Sequence, residues 1–188
     1  NLQPPPKKSH KKVKKTHKKA KNNRWKTRKK VMVKKMYNME KIASFTVDHT
    51  VLKRGIYISR VDGDITTYDI RAKIPNGGDY LDIKAAHTLE HLFATYFRNS
   101  EIKDDVIYFG PMGCRTGFYL LIRNAEHKKV IELINNALQF TVEFEGKIPG
   151  VSEVECGNYL EHDLEKAKQI CKELIPIYKN HTEDMLYY

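Results

Sequence analysis

Positive charge is gathered at one end of this chain. Residues 1–36 hold 16 of the 34 Lys and Arg and none of the 23 Asp and Glu, so a formal charge of +11 conceals a remainder at −5. That first stretch opens on Pro4-Pro5-Pro6 and has one aromatic residue, Trp25. It offers too little apolar surface to offset the entropy of ordering itself, so residues 1–36 are expected to be a disordered basic segment. Such a segment is either a solvated tail or an arm that attracts nucleic acid or another polyanion through counterion release. The fold must come from the rest of the chain, and 188 residues leave room for one well-cored domain.

The later residues carry a two-state pattern. Residues 55–60 and 65–74 are β-branched and aromatic, with Asp62-Gly63-Asp64 between them, which predicts a hairpin. Residues 106–109 and 117–122 read as a second strand pair. Apolar positions at helical spacing predict helices over 85–99 and 126–144. A third helix is expected from a cap at Asp163 to about Leu174, closed by Pro176. The pattern is that of an α+β domain. No run of about 18 uncharged apolar residues occurs, so no membrane span is expected. Three cysteines at wide spacing, with no apolar leader before them, fit a reducing, cytoplasmic setting better than a disulfide framework.

His87-Thr88-Leu89-Glu90-His91 is the most informative segment. On a helix, residues four apart share one face, so both imidazoles can reach one cation, with Glu90 beside them. A third donor is needed, and Cys114 and Cys156 are both available as thiolates. Two imidazoles and one sulfur suit Zn²⁺ or Fe²⁺ with one position left open. Cys114 lies in a Gly-flanked turn beside Arg115, where its sulfur can be exposed. Cys171 falls on the apolar stripe of the third helix and reads as a buried small hydrophobe.

Four motifs taken together go further. His87-Thr88-Leu89-Glu90-His91, the run from Gly110-Pro111-Met112-Gly113-Cys114 through Arg115-Thr116-Gly117, Glu155-Cys156-Gly157-Asn158-Tyr159, and the opening Ser44-Phe45-Thr46-Val47-Asp48-His49 resemble the S-ribosylhomocysteine lyase (LuxS) family. Asp69-Ile70-Arg71 also fits. The resemblance runs over about 39–180, leaving 181–188 as a C-terminal tail, and it has no counterpart for residues 1–36. It implies a homodimer with an antiparallel β-sheet and helices packed against it. It further implies one divalent metal per subunit on His87, His91 and Cys156, Fe²⁺ in the cell and often Zn²⁺ after purification. Cys114 and Glu90 would be the acid/base pair, and Ser44, His49 and Arg71 would line the substrate pocket near the dimer interface. The implied reaction cleaves S-ribosylhomocysteine to homocysteine and 4,5-dihydroxy-2,3-pentanedione, the precursor of autoinducer-2. Where many members have Asp-Ile-Ser, this chain has Tyr108-Phe109-Gly110, and no binding role passes to Tyr108.

Two other classes share these features. An inverzincin-like metallopeptidase would use His87, Glu90 and His91 with Glu90 as base, but would leave Cys114 without a task. A nucleic-acid-binding protein would rely on the basic segment, although an acidic domain is a poor partner for phosphates.

Overall fold

The computed structural model describes residues 22–28, 30 and 40–188. Most of the segment expected to be disordered lies outside these residues. Within it, residues 22–28 are helical, and the Thr27 hydroxyl donates to the Asn23 carbonyl at 2.8 Å. No Gly or Pro interrupts that stretch. Residues 1–42 and 43–188 form separate compact units.

The second unit is an α+β fold built on two hairpins. Strands β1 (Gly55–Asp62) and β2 (Ile65–Arg71) form the first, and β3 (Val106–Pro111) and β4 (Gly117–Arg123) the second. They join as one antiparallel sheet in the order β1-β2-β4-β3. The first hairpin turns at Gly63, whose φ of +62° suits glycine. At its other end β2 stops at Arg71, three residues short of the expected boundary. There the Ala72 and Lys73 amides leave the ladder and both donate to the Thr116 carbonyl, at 3.0 and 2.9 Å.

Helices α1 (Ile83–Phe97), α2 (His127–Glu143) and α3 (Leu164–Tyr178) supply most of the rest of the core, with Ala72, Leu81 and Leu186 added from outside them. Alternation along β2 decides which residues meet them. Tyr68 and Ile70 belong to this core with Leu120 and Ile122 of β4, whereas Asp69 and Arg71 point to the other face. Phe109 stacks on Phe118 and meets Phe93 and Phe97 of α1, fixing that helix on the second hairpin.

The third helix overruns its expected end by four residues, with Pro176 inside it. Pro176 cannot donate to the Lys172 carbonyl, and both residues are exposed, so the lost bond falls on the helix's solvent side. The last turn is held by Lys179, whose N–H reaches the Ile175 carbonyl at 2.9 Å, and by Tyr178, whose buried hydroxyl donates to the Arg71 carbonyl at 2.8 Å. Tertiary anchoring outweighs the local stop signal.

The stretch expected to be a tail is packed. Leu186 is fully buried, and the Tyr188 ring stacks on Tyr57 at 5.0 Å. His181 is buried, with Nε2 2.6 Å from the Ile56 carbonyl, to which it donates. Burial holds its imidazole below its ordinary value, despite the favourable carbonyl. Below about pH 6.5 the unfolded chain therefore binds a proton that the folded chain resists. Stability from this site is present above that pH and is lost as pH falls toward the folded value. The urea midpoint is expected to drop on acidification from neutrality, and less steeply in His181→Gln; equal slopes would exclude His181 as the source.

Candidate functional site

Asp82 opens α1. Its carboxylate accepts the amides of Lys84 and Ala85 at 3.0 and 3.1 Å, so the helix starts in time to place His87 and His91 on one face. Asp163 opens α3 in the same way, accepting from the Lys166 amide at 2.9 Å. The two starts are tied by Lys166, 3.0 Å from Asp82, and by the Asp163 amide, which donates to the Thr88 hydroxyl at 2.9 Å.

This junction brings four donors together. Ligating atoms of His87, His91, Cys156 and His162 all lie within 4.8 Å of one another. His87 Nδ1 lies 3.0 Å from the Glu161 carbonyl, and His91 Nδ1 lies 2.8 Å from the Pro149 carbonyl. A carbonyl can only accept, so each Nδ1 carries a proton and donates it there, which leaves Nε2 as the ligating atom. Cys156 Sγ sits 3.4 Å from His87 Nε2.

The expected trio of His87, His91 and Cys156 is thus assembled, and His162 joins it as a donor that no motif had singled out. No periodic pattern covers the loop between Cys156 and the α3 cap. The available signal was position, since His162 immediately precedes the capping Asp163. Its ring stacks on His87 at 4.0 Å. The Thr88 hydroxyl spends its single hydrogen on the Lys84 carbonyl at 2.8 Å, so its 3.3 Å contact with His162 needs a proton on His162 Nδ1. His162 Nε2 is then a buried lone pair with no partner among the described residues. Burial, followed by the neighbouring His87 and His91, pushes this imidazole down to about 4, so it is neutral near pH 7. Three imidazoles and a cysteine sulfur are a donor set that suits a divalent transition metal. An orphaned buried nitrogen aimed into the group is what such an ion would satisfy.

Gly150 shapes this centre. Its φ is +72°, and a Cβ there would lie 3.1 Å from His91 Nδ1. Gly150→Ala is expected to weaken metal retention about tenfold in competition with a chelator, by displacing an oriented imidazole. Gly146→Ala, also at positive φ but with open space around it, provides the control for backbone strain alone. Equal losses in the two variants would remove the His91 contact as the cause.

A second group forms at the turn joining β3 and β4. His49, Tyr80, Cys114, Arg115 and Thr116 line a cavity of about 380 Å³. The Arg115 amide donates to the Met112 carbonyl at 2.9 Å, and Arg115 adopts a φ of +57°, leaving Cys114 exposed at the tip. Arg71 is buried behind the turn, paired with Asp69 and donating to the Thr116 hydroxyl at 2.5 Å. Burial works against its charge, yet Asp69 holds the guanidinium above its ordinary value. Burial also raises the Asp69 carboxyl, in spite of Arg71. Of the remaining candidates, Glu90 lies half-buried on α1 next to His91, and Ser44 lies half-buried in the short turn Ala43–Phe45. Neither joins the cavity or the four-donor cluster. Cys171 is buried, its thiol pushed up to about 12 by burial, as its place on the apolar stripe predicts.

The family model described as S-Ribosylhomocysteinase (LuxS) matches residues 42–184. A protein of Phocaeicola vulgatus named S-ribosylhomocysteine lyase is 47% identical over 157 residues, covering 80% of this chain and 98% of its own length. The protein of that name from Borreliella afzelii is 48% identical over 156 residues, covering 80% and 99%. One from Desulfotalea psychrophila is 50% identical over 137 residues, covering 70% and 86%. A match that spans nearly all of the second unit, with relatives this similar over nearly their whole length, establishes that the chain belongs to the S-ribosylhomocysteinase (LuxS) family.

Proposed function

We propose that this protein is an S-ribosylhomocysteine lyase that releases homocysteine and 4,5-dihydroxy-2,3-pentanedione, the autoinducer-2 precursor. The observation that carries the reading is a four-donor His/Cys cluster within a chain matched over 42–184 by the family model. We assign the metal to His87, His91 and Cys156, with His162 offering a fourth nitrogen, and Fe²⁺ as the resident ion.

The substrate sets the chemistry. Its C5–S bond is not adjacent to a carbonyl, so the carbonyl must migrate along the ribose chain before sulfur can leave by β-elimination. His87, His91 and Cys156 would hold a divalent ion that would supply Lewis acidity for this migration. The chain's own residues move the protons. Cys114 and Glu90 are proposed to take and return protons on neighbouring carbons, each acting as base for one carbon and acid for the next. Removal of the C4 proton, with the carbonyl at C3, expels homocysteine thiolate from C5. Ser44, His49 and Arg71 are proposed to line the pocket for the substrate, and His49 shares its cavity with Cys114.

A homodimer is part of this reading. Phe45 within the Ser44 to His49 stretch and Val51 just after it are 71% and 70% exposed, an apolar surface suited to a second copy. Sedimentation as a fully active monomer would exclude it. Among the described residues no helix is long and apolar enough to cross a membrane. The metallopeptidase alternative finds no support in the family assignment, and the polyanion-binding arm would be an addition to the lyase. The deciding experiment is incubation of the metal-loaded protein with S-ribosylhomocysteine, with the released thiol trapped by a chromogenic disulfide. Release that depends on protein and metal is expected; none from well-folded, metal-loaded protein would overturn the proposal.

A further inference from the structure

Two contacts behind Cys114 share one hydroxyl, that of Thr116. Arg71 can only donate. Its Nη1 lies 2.5 Å from Thr116 Oγ1, so that oxygen is the acceptor. The single hydrogen of the Thr116 hydroxyl is thereby left to point elsewhere, and Cys114 Sγ stands 3.0 Å away. The hydroxyl is 3% exposed as part of its residue, and its backbone carbonyl is pinned by two amides, from Ala72 and Lys73. Gly117, next along the chain, permits this approach, because a Cβ there would lie 2.3 Å from the Ile70 carbonyl. The hydroxyl is therefore fixed between a buried cation and an exposed sulfur.

We propose that Thr116 is a positioning residue that relays the charge of Arg71 to Cys114, donating its hydroxyl hydrogen to the sulfur in its ionised form. A hydroxyl that accepts from a guanidinium is a stronger donor than a free one, because hydrogen bonds in series polarise one another. Other charged or titratable groups surround the sulfur. His49 and Arg115 share its cavity, Tyr119 of β4 faces it, and Asp69 with Tyr188 sits beyond Arg71. Asp69 opposes the relay from a distance, while Thr116 is the group in contact. The consequence for turnover rests on the lyase reading; the contact itself does not.

The test is alkylation of Cys114 by iodoacetamide in the full-length, metal-loaded protein at neutral pH, followed by mass spectrometry of the peptide that contains it. Thr116→Val keeps the shape and removes the hydroxyl. Thr116→Ser and Thr116→Ala form a second pair that differs only in the hydroxyl, which keeps the question open to decision if the valine variant does not fold. Alkylation about tenfold slower in Thr116→Val and Thr116→Ala is expected, with Thr116→Ser within about twofold of the parent, the effect of one charge-assisted hydrogen bond. Unchanged rates in the variants lacking the hydroxyl would overturn the relay, as would equal losses in Thr116→Ser and Thr116→Ala. A relay that holds in a protein releasing no homocysteine would count against the lyase reading alone.

Discussion

His91→Ala is expected to leave the purified protein with little bound metal and no measurable thiol release. The ring is one of the proposed ligands, and it is oriented by the Pro149 carbonyl at 2.8 Å. Changes in groups that merely orient a ligand cost about 10- to 100-fold in affinity, so deleting a ligand should exceed about 100-fold. His87→Ala and Cys156→Ala should behave alike. His162→Ala serves as the comparison, since it removes the donor outside the proposed trio. Elemental analysis after gel filtration checks all four. Full metal occupancy in Cys156→Ala would remove that sulfur from the ligand set, whereas loss in His162→Ala as deep as in the others would make the fourth donor an equal ligand.

Cys114→Ala and Glu90→Gln should separate binding from turnover. Neither side chain belongs to the four-donor cluster, so both variants are expected to keep their metal. Each nonetheless removes a group proposed to move protons, and positioned acid/base groups contribute about 10²- to 10⁴-fold to rate. Homocysteine release should fall by at least about 100-fold in each, with unfolding midpoints close to the parent. Near-normal release in either variant would withdraw that residue from the acid/base pair.

Much of the fold was legible because short-range physics and long-range packing agree there. The turn at Asp62-Gly63-Asp64 and the alternation beside it place the first hairpin, and apolar spacing places α1 and α2 within about two residues. Disagreement appears where a distant partner decides. Pro176 is a stop signal by itself, but Tyr178 is drawn on to the Arg71 carbonyl and the helix follows. Residues 181–188 look like a tail because their anchors, Ile56, Tyr57 and Asp69, lie more than a hundred positions earlier.

The candidate site divides in the same way. The spacing of His87 and His91 is a helical signal and was readable. His162 was not, because its place depends on a threonine in α1 and a cap on α3, and neither periodicity nor motif spacing records that meeting. The link from Arg71 to Cys114 was likewise hidden. It requires the turn after β3 to fold Thr116 back against the end of β2, a register that only the paired strands define.

The anchoring of the three rings has a consequence for how the centre fills. Glu161, Pro149 and Thr88 each engage an Nδ1, so the rotation of every ring is set by the fold before any cation arrives. The entropy of gathering three imidazoles is then lost during folding and not during loading. Uptake meets nitrogen donors that are already in place, and needs little rearrangement to use them.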